Sequence, residues 1–166
     1  MTIQKTKNNH LLLKSQNMKK LIFAALIAVS VATSAFANVT VSSKVTDSFK
    51  SDFTNATNVT WTVGSNFAKA VFVLEGERME AFYNLDGTSI GVSKAIALDK
   101  LPKNSVRTIT KKYPFPPYAL KSCIEFVNAD GEKQYFVSLE EEGKTKLILE
   151  IFENGSVELF KKDKIK

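Results

Sequence analysis

The chain has 166 residues, 23 basic and 17 acidic, with a net charge of +6, one cysteine and one histidine. Five lysines and no acid lie within residues 1–37, so the other 129 residues carry 18 bases against 17 acids. That near balance excludes a nucleic-acid binder built on a basic stripe, and a lone cysteine excludes an internal disulfide. The remaining cluster of bases, "KKDKIK" at the end of the chain, reads as a solvated tail.

In chain order, the first feature is a leader. Met18, Lys19 and Lys20 precede the apolar run of residues 21–31, and Ala35-Phe36-Ala37 follows. A membrane span needs roughly 20 apolar residues, whereas a basic start, a shorter apolar run and a small-x-small site define a secretory signal peptide. The expected cut falls after Ala37. Asn38 then stands where a lipoprotein would need cysteine. Met18 alone would start a complete leader, so residues 1–17 read as an upstream extension. The rest, 38–166, has the length of one domain. It can bury about two-thirds of its unfolded surface and needs no staples.

Val45, Phe49 and Phe53 fall at i, i+4 and i+8, the stripe of an amphipathic helix. "NVTWTV" then alternates with the period of a strand, and "FAKAVFVLEGE" and "RMEAFYN" follow. Asp86-Gly87 predicts a hairpin with positive φ at both central residues, and "TSIGVSKAIAL" leads away from it. A second helix is expected over Val106, Ile109 and Tyr113, started near Pro102 and stopped by Pro114. "ALKSCIEFV", "KQYFVSL", "KLILEIF" and "SVELF" complete the strands, the last two joined at Asn154-Gly155. Both halves thus read as a helix and four strands, repeat one about 44–98 and repeat two about 102–161. The predicted fold class is α+β.

The chemistry-bearing residues do not converge. Beyond residues 1–37, which hold His10, there is no histidine, so the commonest general base and metal ligand is missing. Cys123 lacks the histidine a thiol nucleophile needs and reads as a small apolar strand residue. Glu140, Glu141 and Glu142 are consecutive, so in a strand they alternate faces; a solvated hairpin end is preferred to a calcium site. Asp86 reads as a turn residue. The glycosylation sequons at Asn38, Asn55, Asn58 and Asn154 are discounted behind a bacterial-type leader. No catalytic residue, metal site or cofactor is expected.

Shape remains. Val59/Trp61/Val63, Met79/Ala81/Tyr83 and Leu147/Leu149/Ile151 define an inner face. The opposite parity carries Glu80, Gln134 and Glu150 together with Phe82, Phe136, Phe152 and Phe160. Four aromatic side chains of about 150–250 Å² each exceed what a monomer usually leaves exposed. These four are the candidate partner-binding residues.

"DFTNATNVTW", "VFVLEGERMEAFYNLDGTSIG", "LPKNSVRTITKKYP" and "LEIFENGSVEL" in this order resemble the PepSY-like, β-lactamase-inhibitor-like family of secreted bacterial proteins, over residues 44–161. The resemblance implies two tandem α-β4 units in one antiparallel sheet, with helices on one face and the other open. In the inhibitor that lends the family part of its name, that open face grips an enzyme. The second unit begins "PFPPYALKSCIEF", without the tryptophan of the first, and no inhibitor contact transfers to a residue of this chain. The expectation is a secreted or periplasmic, non-enzymatic binding protein with a protein or peptide partner, an inhibitor of an envelope enzyme being one form. No nucleic acid and no membrane span after signal cleavage are expected. The alternative is a self-associating structural protein of the cell envelope, pairing through sheet edges or that same face.

Overall fold

A computed structural model describes residues 40–165. The predicted leader and its cleavage site lie outside the described residues. The chain divides into units 1–37 and 38–166, and the second carries every described element.

Helix α1 (Ser43–Asp52) starts where the Ser42 hydroxyl accepts from the Val45 amide, a side-chain N-cap. It ends at Phe53, whose N–H still reaches the Phe49 carbonyl. Strands β1 (Thr57–Val63), β2 (Phe67–Leu74), β3 (Glu77–Asn84) and β4 (Ser89–Ala95) follow. A short 3-10 turn (Leu98–Lys100) leads to α2 (Lys103–Lys112). Pro102 caps α2 without a side-chain bond, Lys111 and Lys112 occupy its last turn where they complement the helix dipole, and Pro114 cannot continue it. Strands β5 (Tyr118–Asn128), β6 (Lys133–Glu141), β7 (Thr145–Phe152) and β8 (Val157–Lys164) complete the chain.

The eight strands form one antiparallel sheet in sequence order, β1 to β8. Register carries one face across all of it. Ala81 pairs with Val92, Val92 with Val127, Glu125 with Tyr135, and Tyr135 with Ile151. Since side chains alternate with period two, the apolar residues of both halves share this face, and both helices pack there.

The α1 side of that face is an aromatic core over small residues. Phe49 meets Trp61 and Phe72 edge-on, at 5.2 and 5.0 Å between ring centroids, the arrangement favoured by ring quadrupoles. Ala68, Ala70 and Ala81 lie buried with them; their short side chains leave room for the phenyl ring. The α2 side buries Ile109 against Val137, Leu139, Leu147, Leu149 and Ile151.

Four of the hairpins fall into two kinds. At Glu75-Gly76 and Glu142-Gly143 both central residues have positive φ, as a type I′ turn requires. At Asp86-Gly87 and Asn154-Gly155 only the glycine does, contrary to the sequence expectation. Gly87 N–H bonds the Asn84 carbonyl and Gly155 N–H the Phe152 carbonyl, so each is a type I turn followed by a left-handed glycine. The Asp86 and Asn154 carboxamide or carboxylate oxygens accept from the amides two residues on, both at 2.9 Å, which favours the type I form.

Candidate binding surface

The face away from the helices is a mixed aromatic and polar surface. Register places Lys69 opposite Phe82, and Phe82 opposite Gly91. The next row runs Val71, Glu80, Ser93, Phe126, Gln134, Phe152. A third runs Ile124, Phe136, Glu150, Glu158. Gly91 is needed opposite Phe82, because a Cβ there would strike the Phe126 ring and the Val127 carbonyl. Phe160, the extra residue where β8 slips register against β7, lays its ring against Phe136 at 5.5 Å between centroids.

All four predicted phenylalanines therefore lie on the helix-free face, and their environments differ. Phe82 and Phe136 are 0% and 2% exposed, whereas the sequence reading expected water-facing rings. Phe152 and Phe160 are half-buried. Phe82 neighbours Phe67 and Phe126, with centroids at 6.4 and 6.3 Å. Strand parity alone would also have picked out Phe126, two residues from Ile124 on β5. The Lys69–Glu80 pair, at 3.5 Å with the lysine side chain 5% exposed, had no signal in sequence, because its partners sit diagonally on two strands. Two buried oxygens on this face, Gln134 Oε1 and Ser138 Oγ, have no hydrogen-bond partner. Such atoms cost about 1–3 kcal/mol each.

The remaining candidates resolve into structural roles. Cys123 is buried in the α2-side core, and burial pushes its thiol up to about 11. Glu140, Glu141 and Glu142 engage separate partners: Lys121 at 3.1 Å, the Tyr118 hydroxyl at 3.1 Å and Lys144 at 3.0 Å. Among the described residues no three His, Cys, Asp or Glu side chains converge as metal ligands. Asp86 accepts the Thr88 amide, which holds its carboxyl below the usual range. A cleft of about 270 Å³ lies between α1 and β1, floored by Phe49, Phe53, Ala56, Val59 and Trp61 and flanked by Lys50. No described helix is long and apolar enough to cross a membrane.

This fold is shared with solved structures from Bacteroides. A protein provisionally described as periplasmic from Bacteroides eggerthii matches with a TM-score of 0.64 at 13% identity, covering 76% of this chain and 91% of that one. A DUF2874 family protein from Bacteroides ovatus gives 0.63 at 16% identity, over 76% and 89%. A BLIP-like protein from Bacteroides fragilis gives 0.60 at 15%, over 76% and 88%. At these identities the likeness is one of fold, and the fold is BLIP-like. No protein-family model matches the sequence, and no curated protein matches it either.

Proposed function

We propose that this is a non-enzymatic binding protein of the bacterial periplasm, exported by the leader in residues 18–37, cleaved after Ala37 and released without a lipid anchor. It grips a protein or peptide partner on the helix-free face, and inhibition of an envelope enzyme is the form of binding we favour. One observation carries the reading. Aromatic rings alternate there with hydrogen-bonding groups, two of them buried and unpartnered, over a sheet whose described helices all pack on the other side. Aromatic anchors in a polar surround are the composition of protein-binding hot spots. The solved neighbours with this fold, one described as periplasmic and one as BLIP-like, are in keeping with it.

We also read the fold as one α-β4 unit used twice. In its support, the type I′ turns and the type I–glycine turns occupy matching places in each half. A duplicated sheet widens a surface, which serves binding better than it serves a catalytic pocket.

The test is affinity capture from an envelope extract, with Phe152→Ser and Phe160→Ser as controls. These half-buried rings can be removed while Phe82 and Phe136 stay. The native protein captures a specific partner and the variants lose it by more than tenfold, with melting temperatures within a few degrees of the parent. Variants that capture as well as the parent, or that unfold, would overturn the assignment.

A further inference from the structure

The two edges of the sheet are unlike. Strand β8 bears Glu158, Lys161, Lys162, Asp163 and Lys164, the charged side chains that discourage edge pairing. Strand β1 has none of this protection. From residue 53 to residue 68 there is no Lys, Arg, Asp, Glu or Pro. Its outer side pairs with no described strand.

Its backbone orientation follows from the β1–β2 hairpin. Gly64 N–H bonds the Phe67 carbonyl at 2.8 Å, and Thr62 and Thr60 pair with Lys69 and Val71. Hydrogen-bonded pairs alternate along an antiparallel ladder. Thr60 and Thr62 therefore spend their backbone groups on β2, while those of Trp61 and Val63 point outward. The side chains divide the opposite way. Val59, Trp61 and Val63 lie half-buried on the helix side, and Thr60 and Thr62 stand exposed on the other.

Residues 59–63 read Val-Thr-Trp-Thr-Val, the same in both directions. A second copy laid antiparallel about a twofold axis at Trp61 puts tryptophan on tryptophan, Val59 on Val63 and Thr60 on Thr62. Aromatic pairs and Thr–Thr pairs are favourable across strands, every outward backbone group finds a complement, and no like charges meet. Asn58, with φ +54, and the register shift between Thr57 and Thr60 break the regular strand just before Val59. A bulge of this kind confines pairing to the palindrome.

We propose that two copies of this chain join edge to edge through β1, in the register centred on Trp61, and so double the eight-stranded sheet. The inference rests on β1 and is independent of the helix-free face. Sedimentation of the product of expressing the full chain, from about 1 to about 500 µM, spans the range a small interface demands, and should show a monomer passing to a dimer. Thr60→Lys with Thr62→Lys places like charges opposite each other twice and should weaken the dimer at least tenfold. Thr60→Glu with Thr62→Glu should do the same, and mixing the two proteins should restore a mixed dimer. A native protein that stays monomeric throughout would overturn the proposal, including in favour of a foreign strand at this edge. So would lysine variants that dimerise normally, or a mixture that does not pair. Should the charged variants fail to fold, Val63→Pro removes an outward N–H without touching β2 and must still abolish the dimer.

Discussion

Tyr83 lies fully buried in the α1-side core, and its hydroxyl donates to Asp52 Oδ2 at 2.8 Å. Burial, then that hydrogen bond, raises its phenol far above the ordinary 10. The folded protein therefore keeps the proton when the unfolded chain has released it. Stability is complete below pH 10 and falls as pH rises beyond it. Tyr83→Phe should cost about 1.5–3 kcal/mol at neutral pH, as loss of a bond to a carboxylate does, and should flatten the alkaline decline in urea titrations. Cys123 acts in the same direction earlier. With its thiol moved from 9.0 to about 11 by burial, it contributes stability that is full below pH 9 and lost as pH climbs to about 11. The thiolate is the reactive form, so the folded protein at pH 8 should alkylate far more slowly than the denatured chain. Rapid modification of the folded protein would place Cys123 outside the core.

Among the elements, the turns show what composition conceals. Asp-Gly and Asn-Gly announced the β3–β4 and β7–β8 turns, yet both glycines serve a second purpose. Gly87 lies buried under the first turn of α1, where a Cβ would come within 2.8 Å of the Lys44 carbonyl oxygen. Gly155 lies buried under α2, 3.2 Å from Asn104 Cβ by the same construction. Gly131 also has positive φ, +82, but faces open space. Gly131→Ala should then cost only backbone strain, about 1 kcal/mol, and Gly87→Ala about 1–3 kcal/mol more, because the helix must lift. Equal losses in chemical denaturation would show that α1 yields freely. Both helices and most strands were legible because their apolar residues recur with the period of the element. The turn type was not, because Asp-Gly and Asn-Gly suit either form, and here the Asp86 and Asn154 side chains bond the amides two residues on. The β1 bulge was missed for a related reason: its positive φ falls on Asn58, with no glycine to mark it.

At the scale of the molecule, the sheet unites two cores without a break, joined where β4 pairs with β5 from Gly91–Asn128 to Ala95–Ile124. The one tryptophan, Trp61, reports on the α1-side core, while far-ultraviolet circular dichroism reports on all eight strands. The two signals should give superimposable urea transitions, as a two-state domain does; a separate early tryptophan transition would mean that the halves unfold independently. The division into faces was readable in sequence, because a strand turns every second side chain the same way. The depth of Phe82 and Phe136 was not, since exposure depends on what stands beside and above a ring. Nor was the diagonal Lys69–Glu80 pair, which only the strand register brings together.

The lysines of β8 have a consequence for assembly. A sheet with two open margins could add copies without limit, head to tail, into a filament. Here one margin is charged, so a twofold union at β1 uses up the receptive edge of the described sheet. Growth then stops at two, and an uncharged strand that would ordinarily invite aggregation becomes the seal against it.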